Sequence, residues 1–135
     1  MLARLAVTTL ILAGSDFQPR EAKDWTGRYY GLQQVGSDPY GYESISFTLG
    51  KGRTTLGLIW TRSDQTGEKE RRDLQLTDVK IDAKGLTAKV KGKRPATIPE
   101  EWKGQFVTKY PPNNAKGPVV EGLLLEGGWF VSLTD

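Results

Sequence analysis

The sequence contains no cysteine and no histidine. Their absence removes disulfide frameworks, thiol nucleophiles, Cys or His zinc sites and histidine general bases, because the side chains that perform this chemistry are missing. Carboxylates, Ser, Lys and Tyr remain. The pair nearest to a hydrolase arrangement is Glu43 and Glu121, which open two similar strands, but alternation gives them no shared geometry. No motif implies a cofactor or a metal, and an enzyme is the least supported class. A strong charge imbalance is also lacking, since the formal charge is only +3. The densest basic run, "KIDAKGLTAKVKGKR", puts Leu86, Ala88 and Val90 on one face of a strand and Thr87, Lys89 and Lys91 on the other. That is the solvated side of a half-buried strand. No aromatics interleave with the lysines to stack on bases, so no nucleic-acid partner is expected.

At the N-terminus, Arg4 precedes an apolar run from Leu5 to Ala13, followed by the small residues Gly14 and Ser15. The run is too short to span a bilayer. Residues 1–15 therefore read as a signal peptide cleaved near Ser15, 16–23 as a polar spacer, and 24–135 as a single barrel domain. The phrase "LAGS" resembles the bacterial lipoprotein box with Ser15 in place of the lipidated Cys. The expected product is a soluble secreted or periplasmic protein with no membrane span.

Beyond the spacer, no stretch carries an amphipathic helical pattern. Ile45, Phe47 and Leu49 recur at period two, "GKG" turns the chain, and Leu56, Leu58 and Trp60 repeat the pattern, which is the signature of a β-hairpin. Leu74 and Leu76 are followed by Val79 and Ile81, a change of parity at Thr77-Asp78 that requires either a tight turn or a bulge. A turn between two separate strands is expected. The whole gives eight or nine short strands, hence an all-β chain built as a small antiparallel up-and-down β-barrel, with a two-sheet β-sandwich as the alternative. Gly27, Gly31, Gly57, Gly104 and Gly122 fall inside strands, as a strongly curved sheet requires.

Two phrases match at an offset of 77 positions: "DWTGRYYG" aligns Trp25, Gly27 and Tyr29 with Trp102, Gly104 and Phe106 of "EWKGQF". A duplicated hairpin and two hairpins with similar needs explain this equally well. With the turn at Thr77-Asp78, both strands point the same way. Trp25, Trp102 and Trp129 then close one end, while Trp60 and the loops "GSDPYGY" and "YPPNNAKGP" gather at the other.

A Trp beside a Gly on the first strand of a meander, after an export signal, resembles the calycins, the group of lipocalins, avidins and fatty-acid-binding proteins. The likeness covers "DWTGRYYG" and the strand plan. Lipocalins place the Gly before the Trp, whereas here the order is Trp25, Thr26, Gly27, and the usual disulfide is missing. The resemblance implies a ligand pocket reached from the loop end. The expected function is accordingly a non-enzymatic barrel binding a small apolar or amphipathic ligand, with Tyr40, Tyr42, Trp60 and Tyr110 around its mouth. The alternatives are a secreted protein-protein interaction or inhibitor module presenting "SDPYGY" and "YPPNN" to a partner protein, and a carboxylate-dependent hydrolase.

Overall fold

Among the described residues, three Asp-x-x-Gly phrases set reversals and strand starts. In Asp24–Gly27, Asp24 Oδ1 accepts from the Thr26 hydroxyl at 2.7 Å and from its backbone N–H at 3.3 Å. In Asp64–Gly67 the corresponding distances to Thr66 are 2.6 and 2.7 Å. These bonds, the hydroxyl's foremost, hold both carboxyls below their ordinary range. In the third phrase Asp82 Oδ1 accepts from the N–H groups of Lys84 and Gly85.

The computed structural model describes residues 16–36, 39–111 and 116–134; the segment read as a signal peptide lies outside them. The strands are β1 (Phe17–Pro19), β2 (Gly27–Gln34), β3 (Tyr42–Leu49), β4 (Leu56–Asp64), β5 (Gly67–Ile81), β6 (Gly85–Lys91), β7 (Glu101–Lys109), β8 (Val120–Leu125) and β9 (Phe130–Thr134). From β2 onward each strand pairs antiparallel with the next, and β9 returns to pair with β2. The result is a closed eight-stranded up-and-down barrel, not a sandwich. The extra strand β1 comes from the segment read as a spacer; it pairs with Val107–Lys109, the part of β7 that β6 leaves uncovered.

The parity change in β5 is a bulge. Thr77 pairs with Lys89 and Lys80 with Thr87, so three steps on β5 face two on β6. The extra residue is accommodated by Asp78, at φ 51°. Leu74 and Ile81 therefore lie on one continuous strand, which corrects the expectation of a turn. With one strand fewer, β7 runs opposite to β2. Trp25, just before β2, and Trp102, at the start of β7, stand at opposite ends of the barrel and not at one.

The same count bears on the repeated phrase. Both hairpins, β2–β3 and β7–β8, proceed around the barrel in the same sense, but their first strands point in opposite directions. No rotation superposes them with both interiors facing inward. The shared Trp, Gly and aromatic positions reflect a local requirement: Tyr29 and Phe106 are both fully buried, and a Cβ on Gly104 would meet Leu125 at 2.8 Å. Curvature makes a similar demand at Gly31, where a Cβ would meet Val131 at 2.7 Å. At Gly57 nothing lies within 4 Å, so that glycine is not required by packing.

Inward-facing residues fill the lumen. Ile45, Leu58, Leu76, Phe106, Leu123 and Val131 are all fully buried, with Tyr29 and Phe47 stacked at 5.4 Å between ring centroids. At the lower end, where β2 begins, the chain crosses beneath the barrel. Ala22 donates to Ala83 O at 2.8 Å and is 2% exposed, Arg20 lies over the Phe106 ring, and Trp25 packs against the core. Tyr29 donates its hydroxyl to Trp25 O at 2.8 Å, and burial pushes its pKa up to about 12.

Candidate functional site

The upper end, where β2 and β4 finish and β7 begins, brings together most of the polar groups that face the barrel axis. Glu43 is at an inward position of β3, in phase with Ile45 and Phe47, and is 3% exposed. Its Oε2 accepts from Trp60 Nε1 at 2.8 Å and from the Thr97 hydroxyl at 2.6 Å, and its Oε1 accepts from Gln33 Nε2 at 3.5 Å. A buried carboxyl needs such donors, because each lost partner would leave it desolvated and unpaired.

Thr97 belongs to the 92–100 connection between β6 and β7, which folds over this end. Pro95 and Ile98 are buried, and Ile98 is part of the central apolar cluster. Trp129 Nε1 donates to Thr97 O at 3.4 Å, Arg72 to Lys93 O at 3.1 Å, and Arg94 to Ile98 O at 2.9 Å. The Pro-interrupted phrase "KRPATIPE" is thus a plug, held by an aromatic layer of Trp60, Trp102 and Trp129 that is itself buried. The third indole differs from the other two: Trp102 Nε1 is buried with no acceptor among the described residues.

β2 to β5 extend above this plug, and their inner side carries a cleft of about 270 Å³ lined by Val35, Gly41, Arg62, Asp64, Lys69 and Glu70. A second irregularity shapes it. Between Arg62 and Ser63 the register of β4 against β5 shifts by one residue, which leaves Lys69 as the extra one. The lining charges are of both signs: Lys69 lies 4.0 Å from Asp64, and Glu70 pairs with Arg72 at 2.6 Å. Arg72 in turn lies 5.4 Å from the centre of the Trp60 ring.

The residues expected to form a mouth are divided by this geometry. Tyr40 and Tyr42 are exposed at the upper end, and Trp60 belongs to the same half, but it is 3% exposed and committed to Glu43. Tyr110, just after β7, is at the lower end, so Tyr40 and Tyr110 do not share a mouth; positions 37–38 and 112–115 of the two loops lie outside the described residues. Glu43 and Glu121 are likewise at opposite ends, at the starts of β3 and β8, and form no catalytic pair. Glu121 instead faces Arg20, with Nε to Oε2 at 3.2 Å.

Among the described residues no cluster of His, Cys, Asp or Glu is arranged to hold a metal, and no helix is long and apolar enough to cross a membrane. Comparison with known proteins adds no relative: no protein-family model, curated protein or solved structure matches the chain. The likeness to calycins therefore rests on the closed eight-stranded meander and on "DWTGRYYG".

Sequence reasoning offers Glu43 only as half of a hydrolase pair; its parity with Ile45 and Phe47 puts it inside, but nothing local names the donors that hold it there. It misses Thr97, whose partner is far away in sequence and carries no local signal.

Proposed function

We infer that this chain is an exported, non-enzymatic barrel of calycin type that binds at its surface and not in its lumen, acting as a protein-protein interaction module. The filled barrel carries this reading. An eight-stranded barrel is just wide enough either to pack its own side chains or to hold one small ligand. Here the axis is occupied by buried Leu, Ile, Phe, Tyr and Trp side chains, one end is plugged by Pro95 and Ile98, and the other is crossed by the Arg20–Trp25 segment. The apolar run from Leu5 to Ala13 supports export.

Native mass spectrometry of the protein made in its natural host tests this. The expected spectrum shows the chain alone or with added mass of protein size. A stoichiometric small-molecule adduct would contradict it.

The mouth cleft favours a second reading, a small ligand held at the loop end near Tyr40 and Tyr42. Its lining of Arg62, Asp64, Lys69 and Glu70 suits a polar or zwitterionic molecule better than an apolar one. Such a ligand would appear in the same spectrum as a small adduct lost on Arg62→Ala substitution.

A further inference from the structure

The barrel wall has two sides of opposite chemistry. On β5, β6 and β7 the outward positions include Arg71, Asp73, Lys80, Lys89, Lys91 and Lys103, which is how a chain with 26% charged residues solvates a sheet. On β9, β2, β3 and β4 charge almost vanishes. The outward residues of β2 are Arg28, Tyr30, Leu32 and Gln34, and those of β3 are Tyr42, Ser44, Ser46 and Thr48. On β4 they are Gly57, Ile59, Thr61 and Ser63, and on β9 Phe130, Ser132 and Thr134. Arg28 is the one charged side chain in this set, and it lies at the lower margin, between Thr48 and Thr134. Charges resume beyond β4, where Ile59 pairs with Asp73 and Thr61 with Arg71.

This face has the chemistry of a buried surface while it is exposed. Leu32 is 55% and Tyr30 43% accessible, side by side on the outward side of β2. Four of the surrounding hydroxyls already have partners within the sheet. Ser44 and Thr61 bond to each other at 2.5 Å, Ser132 donates to Tyr30 O at 3.2 Å, and Thr134 donates to Arg28 O at 3.1 Å. Covering them costs little desolvation, because they would not be left unpaired. Charge depletion with Tyr enrichment is also what separates the centre of an interface from ordinary surface.

We propose that the outer face of β9, β2, β3 and β4 is a two-fold interface on which a second copy of this chain docks. The occupant follows from charge and area. A surface laid over Tyr30 and Leu32 must itself be free of charges, since a buried unpaired charge costs several kcal/mol. The Tyr30–Leu32 centre of this face meets that condition when it faces itself, since Arg28 and the Lys109 ammonium over the Phe130 ring lie at its margins, and a two-fold axis places the same patch on both partners. The lysine-bearing β5–β6–β7 sides then point away from each other, so the small positive charge of the mature chain, +2 once Arg4 is removed with residues 1–15, opposes association least in this arrangement. Four strands ~4.8 Å apart and about six residues long give a projected footprint on the order of 400 Å². That is about half of the ~800 Å² per partner of a standard interface, so the dimer belongs to the weak, concentration-dependent class. The interface is distinct from the upper-end cleft and does not depend on the surface-binding reading.

Sedimentation velocity on the mature chain over a wide concentration range tests it, beside Leu32→Arg, Tyr30→Asp and the control Thr87→Arg on the opposite side of the barrel. The expected result is a dimer whose dissociation constant rises at least about tenfold in each face variant and is unchanged in the control, with far-ultraviolet circular dichroism the same in all four. A wild-type chain that sediments as a monomer throughout overturns the proposal, and so does a dimer indifferent to Leu32→Arg and Tyr30→Asp. A monomer whose heavier complex in host extract is lost in the face variants gives the face to a different protein, and that also overturns the second copy as occupant.

Discussion

Thr97 donates its hydroxyl to Glu43 Oε2 over 2.6 Å, joining two residues 54 positions apart and tying the plug to the barrel wall. The same oxygen accepts from Trp60, so one buried carboxyl fixes both the plug and the aromatic layer beneath it. Replacing Thr97 by Val keeps the shape and removes one donor. The expected loss is about 1–3 kcal/mol in a urea titration, the range for a buried polar group left short of a partner. Faster amide exchange confined to residues near 92–100 would accompany it. An unchanged midpoint would mean that the plug is held by Pro95 and Ile98 alone.

Tyr29 gives the barrel a defined sensitivity to base. Burial raises its pKa to about 12, and the nearby Arg20 opposes that shift only in part. An unfolded Tyr titrates near ~10. The stability linked to this group is therefore complete below pH ~10 and is lost as pH rises through about 12, because only the unfolded chain ionises readily in that window. A shift of roughly two units corresponds to about 2–3 kcal/mol. In Tyr29→Phe the steep decline above pH ~10 should flatten by that amount relative to wild type. Parallel pH profiles for the two chains would show that Tyr29 ionises normally.

The inner and outer faces can be separated by two substitutions. Leu58 is fully buried in mid-strand, and Leu58→Ala should cost about 2–5 kcal/mol through lost burial and a residual cavity. Lys89 points outward, and its 3.7 Å pair with Asp78 joins two exposed side chains. Lys89→Ala should change stability by less than roughly 0.5–1 kcal/mol, since exposed pairs contribute little. Equal losses in urea would contradict the assignment of faces.

Asp78 is the strained residue of the β5 bulge, at φ 51°. A glycine adopts this conformation freely, whereas a β-branched side chain resists it at a cost of about 1–2 kcal/mol. Asp78→Gly is thus expected to leave stability within about 1 kcal/mol of wild type, and Asp78→Val to fall below it. If both variants melted alike, the bulge would have to be centred elsewhere.

That bulge also explains what the sequence could and could not convey. The all-β class, the hairpin from Ile45 to Trp60 and the parity change at Thr77-Asp78 were all legible, because period two is a strong signal over uninterrupted strands. A turn and a bulge produce the same parity change, however, and no glycine marks the positive φ at Asp78. A turn would add one strand, and one strand reverses everything downstream, which is why the turn reading puts Trp102, Trp129 and Tyr110 at the wrong ends. β1 was not legible because it is three residues long and ends in Pro19. The expected mouth residues share only an aromatic side chain near a loop, which does not distinguish one end of the barrel from the other. Tyr30 and Leu32 carry a different signal, an outward row whose one charge is Arg28.

Trp60, Trp102 and Trp129 all lie in the upper half of the lumen, so any guest in the barrel must approach an indole. Titrating the mature chain with apolar fluorescent probes, fatty-acid-like and aromatic, and following quenching of tryptophan emission is the most direct test of whether the lumen is filled. A filled barrel gives no saturable quenching by any probe. Saturable one-to-one quenching would show that the lumen opens to a ligand and would contradict binding at the surface.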